Sequence, residues 1–354
     1  MKETLRLKVD PAAPEGQEFG ATIARAAEIL RRGGTVAFPT ETVYGLGANA
    51  LDAEAVAGIF AAKERPSWDP LIVHVSGPEM LERVAAKLNE NARRLAEVFW
   101  PGPMTLLLPK RNEVPDVVTA GRPLVGVRMP AHPVALELIR AAGVPVAAPS
   151  ANRFGHTSPT RAEHVAADLG GRIDAILDGG ETAHGLESTV MEPREDGCVI
   201  IYRPGVITAE QVRGVCAGTV EYYAPAETTR RPEALPSPGV GLRHYAPRAR
   251  MVLVGGSGSE QVEAFRRTVT EAALAGERVG AMVPDRFEAA LKGVSARGYP
   301  WGRWDCPEEL GQRLYAAMRE LDAQEVTVIV CPLPTAEGVG LAICDRLRKS
   351  ARGE

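Results

Sequence analysis

The chain has 354 residues, 45% of them apolar and 24% charged, with a formal net charge of -4. That length exceeds one ordinary core and predicts two domains, each able to bury its own interior, while the composition excludes disorder on a large scale. Slight acidity speaks against a surface that coats nucleic acid generally, so any anion site has to be found residue by residue.

The first ten residues, M-K-E-T-L-R-L-K-V-D, lack the apolar segment of a signal peptide, and no run approaches the length needed to cross a bilayer. Five cysteines, Cys198, Cys216, Cys306, Cys331 and Cys344, stand far apart without a C-x-x-C pair, which suits reduced thiols better than disulfides or zinc. The reading is a soluble cytoplasmic protein with no membrane partner.

After a polar lead-in, Phe19, Ile23, Ala27 and Leu30 recur at helical spacing, and Gly33 with Gly34 supplies the stop. A core strand over 35–38 follows, which Pro39 must end because proline has no N–H to give a ladder. The chain is organised around the stretch 36–47, V-A-F-P-T-E-T-V-Y-G-L-G, where Thr40, Glu41, Thr42 and Tyr44 stand between strand and glycines. Open α/β sheets place ligands at such a strand mouth, although the stretch alone also reads as a tight strand-to-helix turn.

Asp52 is the expected N-cap of a helix with Val56, Ile59 and Phe60 on its apolar side; Pro66 forbids its continuation and leaves Lys63 and Arg65 at its end. Strands are predicted over 71–75 (with His74 inside), 105–108, 124–128, 144–148, 173–177, 188–192 and 199–202, and helices over 78–87, 89–99, 133–142 and 161–169. The alternation is not strict, which predicts an α/β domain with a mixed sheet. Five prolines and no amphipathic period over 224–247 mark a linker longer than most loops. Strands over 251–254, 278–282 and 326–330 then alternate with helices over 261–274, 308–321 and 339–348, a smaller doubly wound α/β domain.

Several motifs carry little. G-G-S-G-S-E at 255–260 lacks the full dinucleotide fingerprint, no Walker loop is present, the histidines have no zinc spacing, and Ser150 and Ser188 lack a nucleophile elbow. Polar residues at strand ends carry more. Arg128 follows the apolar L-V-G-V, and a buried strand end rarely carries arginine without a carboxylate or phosphate partner. P-S-A-N at 149–152, S-P-T at 158–160, E-S-T-V at 187–190 and R-P-G at 203–205 add polar groups in similar positions. Together they point to a site for a phosphorylated or carboxylated small molecule, a nucleotide above all.

P-T-E-T-V-Y-G-L-G, K-x-R-P before P-L-I-V-H, P-G-P-M-T, V-R-M-P, P-S-A-N, G-L-E-S-T-V and Y-R-P-G, in that order, resemble the Sua5/YrdC/YciO family of threonylcarbamoyl-AMP synthases. S-P-G-V-G-L-R-H-Y-A-P at 237–247 and the domain after it are similar to the long, Sua5 form. The resemblance implies a YrdC-like mixed twisted sheet with helices over 1–217, a linker or lid over 218–249, and a Rossmann-like α/β domain over 250–354. It implies condensation of L-threonine, bicarbonate and ATP, with Mg2+ on the phosphates, for a transferase system that modifies tRNA. Lys63, Arg65, Asp69, Ser150, Asn152, Ser158, Arg203 and Ser237 would face ATP, with Lys63 and Arg65 also catalytic. Thr42, His74, Arg128, Ala148 and Ser188 would line the threonine pocket, and Gly239, His244 and Tyr245 would belong to the lid. Asp69 departs from the family's frequent asparagine and reads as a Mg2+ ligand or a turn cap. The rival classes are a module that holds double-stranded RNA or tRNA without chemistry, and an enzyme that consumes carbamoyl phosphate.

Overall fold

The computed structural model describes residues 2–224, 235, 237 and 245–352. These divide into two compact units. The first takes in 2–154, 159–183 and 187–224 with Leu235 and Ser237; the second takes in 155–158, 184–186 and 245–352.

Eleven strands form the sheet of the first unit: β1 (Leu5–Lys8), β2 (Val36–Phe38), β3 (Gly45–Asn49), β4 (Ile72–His74), β5 (Met104–Pro109), β6 (Leu124–Arg128), β7 (Val146–Ala147), β8 (Ala175–Asp178), β9 (Thr189–Pro193), β10 (Val199–Arg203) and β11 (Val220–Tyr222). Their order is β1-β8-β2-β3-β7-β4-β6-β5-β9-β10-β11, with parallel and antiparallel neighbours, as expected of a mixed sheet. The helices are α1 (Gln17–Arg31), α2 (Ala53–Lys63), α3 (Pro78–Glu82), α4 (Glu90–Phe99), α5 (Asp116–Thr119), α6 (Pro133–Ala142), α7 (Ala162–Leu169) and α8 (Ala209–Arg213).

Side chains alternate across a strand, and here the alternation separates structure from function. Val73, Leu106, Val125, Val127, Met191 and Ile201 point into the main core with the buried faces of α1, α4 and α6. Ile72, Leu107 and Val190 occupy the other face with Leu124 and Tyr202. Two residues further along the same rows stand His74, Thr105 and Ser188, and the β6 row ends at Arg128.

The stretch after β2 is not a strand-to-helix turn. β3 returns antiparallel to β2, and Gly47 is placed where a Cβ would meet Phe38 and Val146 carbons at 2.7 Å. The glycines therefore let a strand pack close rather than end one. α2 starts where predicted: Asp52 accepts from the Glu54 and Ala55 amides, and the helix closes on Glu64 in the left-handed region before Pro66.

The second unit holds a four-stranded parallel sheet of β12 (Arg250–Val254), β13 (Val279–Pro284), β14 (Arg297–Gly302) and β15 (Val328–Pro332), in the order β12-β15-β13-β14. α9 (Gly258–Leu274), α10 (Pro307–Ala323) and α11 (Gly338–Ser350) complete the doubly wound pattern. Phe265, Val269, Val279, Ala281, Phe287, Val328 and Val330 make its core, with Phe265 edge-on to Phe287 at 5.3 Å. No helix among the described residues is long and apolar enough to cross a membrane.

Candidate active site

The turn after β2 is fixed by its threonines. Thr40 Oγ1 donates to the Val43 carbonyl at 2.7 Å and accepts from the Thr42 amide at 3.1 Å. Since that proton is committed, Thr42 Oγ1 is the donor in its 2.8 Å bond to Thr40, and its lone pair accepts from Arg128 Nη1 at 2.9 Å. Arg128, 4% exposed, also donates from Nε to the Gly102 carbonyl at 3.2 Å, and Nη2 lies 2.6 Å from Glu41 Oε1. The buried carboxylate foreseen for Arg128 is thus Glu41, which the sequence reading named only as part of the polar cluster.

His74 neighbours Arg128 directly, because β4 and β6 run parallel with these two residues in register. Burial, and then the Arg128 charge, push its pKa down to about 3, so the imidazole is neutral. Its Nδ1 has no hydrogen-bond partner among the described residues. Ala148 follows β7, which runs antiparallel to β4; it is buried, and its amide donates to the Ile72 carbonyl at 2.8 Å.

Ser188 is held from two directions. Its Oγ lies 2.8 Å from Thr105 Oγ1 and accepts from Arg203 Nη2 at 3.1 Å, while its carbonyl accepts from Arg203 Nε at 3.1 Å. Strict alternation after Val199 and Ile201 would turn Arg203 into the helix-covered core. The register shifts between Ile201 and Arg203, so that Arg203 instead pairs with Val190 and reaches Ser188. The turn that follows is tight: a Cβ on Gly205 would lie 2.5 Å from the Thr189 nitrogen. Thr105, the last residue of the P-G-P-M-T motif, was given no role of its own because a threonine near the start of a strand does not show which side chain it will meet.

Lys63 and Arg65 sit at the end of α2, both buried. Lys63 Nζ donates to the carbonyls of Ser150, at 2.6 Å, and Asn152, and the Lys63 carbonyl accepts from the Phe154 amide. Burial foremost, then the neighbouring Arg65 charge, hold the Lys63 ammonium well below its usual pKa. Arg65 pairs with Asp69 at 3.0 Å, bonds the carbonyls of Asp69 and Pro70, and lies 5.9 Å from the Phe154 ring centre. Asp69, fully buried, thereby neutralises Arg65, a partnership the sequence reading did not foresee.

The remaining expected positions are more scattered. The Asn152 amide donates to the Arg153 carbonyl, and Ser237 is buried in the first unit. Ser158 is grouped with the second unit, where its carbonyl accepts from Arg319 Nε at 3.3 Å. Tyr245, also in the second unit, stacks on Tyr315 at 5.7 Å and has the Arg346 guanidinium 5.3 Å from its ring centre. Gly239 and His244 lie outside the described residues.

The pattern of the Sua5, YciO and YrdC proteins, described as "Telomere recombination", matches residues 28–205. A second pattern, described as "Threonylcarbamoyl-AMP synthase, C-terminal domain", matches 207–352. The chain is 43% identical over 326 residues to the threonylcarbamoyl-AMP synthase of Pyrococcus abyssi, covering 92% of this chain and 93% of that one. It is 44% identical over 334 residues to the Bacillus subtilis protein of the same name, covering 94% and 93%. The crystal structure of P. abyssi Sua5 complexed with L-threonine superposes with a TM-score of 0.88 at 40% identity, covering 98% of both chains.

Proposed function

The chain belongs to the Sua5/YrdC/YciO family and is an enzyme of the threonylcarbamoyl-AMP synthase class, and from that premise we infer how its residues carry the reaction. The amine of L-threonine takes up bicarbonate to give a carbamate and water; a carbamate oxygen then attacks the α-phosphorus of ATP, and pyrophosphate leaves. A transferase system passes the threonylcarbamoyl group to an adenosine of tRNA.

One observation carries the reading of the threonine side: Arg128, buried at a strand end, spends Nε on Gly102 and one Nη1 N–H on Thr42, with Nη2 against Glu41, which leaves the second Nη1 N–H for a carboxylate. Thr42, Ser188 and neutral His74, beside Ala148, then receive the substrate hydroxyl and amine. A pocket that bonds the hydroxyl rejects valine strongly, whereas serine loses only a methyl contact.

The second requirement is positive charge, since two anions must meet in the transition state. Arg65, Arg203 and the third N–H of Lys63 supply it, with the Ser150 and Asn152 loop held against Lys63 by two carbonyl bonds. Ser158 and Ser237 keep the ATP assignment that the family pattern gives them. Asp69 acts on the triphosphate through Arg65. No group of three His, Cys, Asp or Glu comes together among the described residues, and Asp69 spends its charge on Arg65. The described residues therefore offer no all-protein metal cage. Mg2+ would ride on the triphosphate, where it supplies neutralising charge.

The linker acts as a lid that keeps water from the reactive adenylate. Its described residues Leu235 and Ser237 are buried, and the Leu235 amide bonds the Trp68 carbonyl at 3.0 Å. Tyr245 closes the same segment, and Gly239 and His244 belong to it. Deleting 234–247 should shorten product lifetime; an unchanged lifetime removes the lid. The five unpaired cysteines fit a cytoplasmic setting.

The deciding experiment measures pyrophosphate release from ATP with bicarbonate and Mg2+, with and without L-threonine, alongside mass detection of the adenylate. Threonine-dependent release with the adenylate formed is the expected result. Threonine-independent silence, with salt-sensitive binding of double-stranded RNA or tRNA instead, would move the chain to the binding-module class.

A further inference from the structure

Glu41 stands between two threonines whose side chains lock the turn, so its own side chain has one direction to take. Only 7% of the residue is exposed, and neither carboxylate oxygen is accessible. Burial alone would raise its pKa, but the charge of Arg128, 2.6 Å away, outweighs burial and holds the carboxyl below its ordinary value. A carboxylate taken this far from water persists only against an opposing charge, and Arg128 provides it.

Seen from Arg128, the pair closes a three-sided frame. Gly102 takes Nε, Thr42 takes Nη1, and Glu41 lies against Nη2. The first two are neutral acceptors; Glu41 is the charged one, and charge-assisted contacts are the strong ones. Each nitrogen of the guanidinium thus meets one protein oxygen, and together they set its plane and the direction of the second N–H on Nη1, Nη2 itself being inaccessible.

Resting on the threonine reading above, we propose that Glu41 is a positioning residue for substrate recognition: it acts through Arg128, fixing the guanidinium whose Nη1 grips the α-carboxylate, and does not touch the substrate. The inaccessibility of both Glu41 oxygens separates this role from direct capture of the substrate ammonium.

The test titrates L-threonine and, separately, 3-hydroxybutanoate, which keeps the carboxylate and hydroxyl but lacks the amine, into the whole protein by calorimetry. Glu41→Gln and Glu41→Asp are compared with the wild type, with ATP affinity and thermal midpoint as controls. Glu41→Gln should weaken both ligands by the same factor, about a hundredfold, as expected when a binding group is misplaced by about 1 Å. ATP affinity should stay within about twofold, and Glu41→Asp should recover part of the loss. Unchanged threonine affinity in Glu41→Gln overturns the proposal. So does loss for threonine alone, which would place Glu41 on the ammonium, and so does equal loss of ATP affinity, which would make its role general. Should the wild type fail to bind threonine at all, the reading of the site fails, independently of Glu41.

Discussion

The two units bury different things. The first buries Glu41, Lys63, Arg65, Asp69, His74, Arg128 and Arg203 at strand ends, turns and a helix end, whereas the core of the second sheet is almost wholly apolar, with Gln261 and Arg346 as its large buried polar side chains. A buried charge costs stability unless it is opposed, and folds retain such groups chiefly where a site needs them. Under the proposed function, the contrast agrees with chemistry in the first unit and a supporting task for the second.

The largest test of that contrast removes a charge from each unit. Arg128→Met leaves Glu41 as a buried carboxylate without its counter-charge, and should cost about 3–5 kcal/mol in urea unfolding together with threonine-dependent turnover. Arg346→Met should cost less, about 2 kcal/mol, because its partner Asp345 is partly exposed and keeps Lys349 at 2.9 Å. Pyrophosphate release by Arg346→Met should stay within about twofold of the wild type. A folded Arg346→Met protein without turnover would break the division of labour.

Acid offers a smaller and graded test. With a folded pKa of about 3, His74 stays neutral where the unfolded chain, near the ordinary 6.5, takes a proton. Stability is therefore lost as pH falls through 6.5 toward 3, by at most about 1.4 kcal/mol per pH unit for this group. His132, also lowered by burial, adds in the same direction; Glu41 contributes only below its ordinary 4.5. Urea unfolding from pH 7 to 5 should flatten in His74→Gln, and an unchanged slope would remove His74 from the account. The smallest effect belongs to Asp52→Ala, which strips the cap of α2 and should cost about 1 kcal/mol by thermal unfolding, with Lys63 still docked at the far end.

Much of the fold was legible because core strands and capped helices announce themselves locally. α2, β6 and α6 stand where apolar period, Asp52 and Pro133 place them. The strands that escaped were those whose stability comes from neighbours. β1 reads L-R-L-K and survives as a charged edge beside β8; β3 is G-L-G-A-N, poor in strand formers; β14 carries Pro300 at the edge of its sheet. In the first unit, β11 pairs alongside β10, which carries the sheet past residue 217. The same reason governs the site. Arg128 demanded a partner, but nothing near it in sequence says that the partner is Glu41; Asp69 looked like a metal ligand or cap because Arg65 folds back on it only in three dimensions.

The irregularity in β10 has a consequence for inheritance and for engineering. One residue of slack is what sends Arg203 to Ser188 rather than into the packed side of the sheet. Closing the ladder at full length, with Tyr202 opposite Val190 and Arg203 one step beyond, would keep the backbone pairing yet turn Arg203 to the packed face of the sheet. A substitution at Tyr202 that removed the slack would break the Arg203–Ser188 contact while leaving the strand order unchanged, so a screen on secondary structure alone would carry it forward unnoticed.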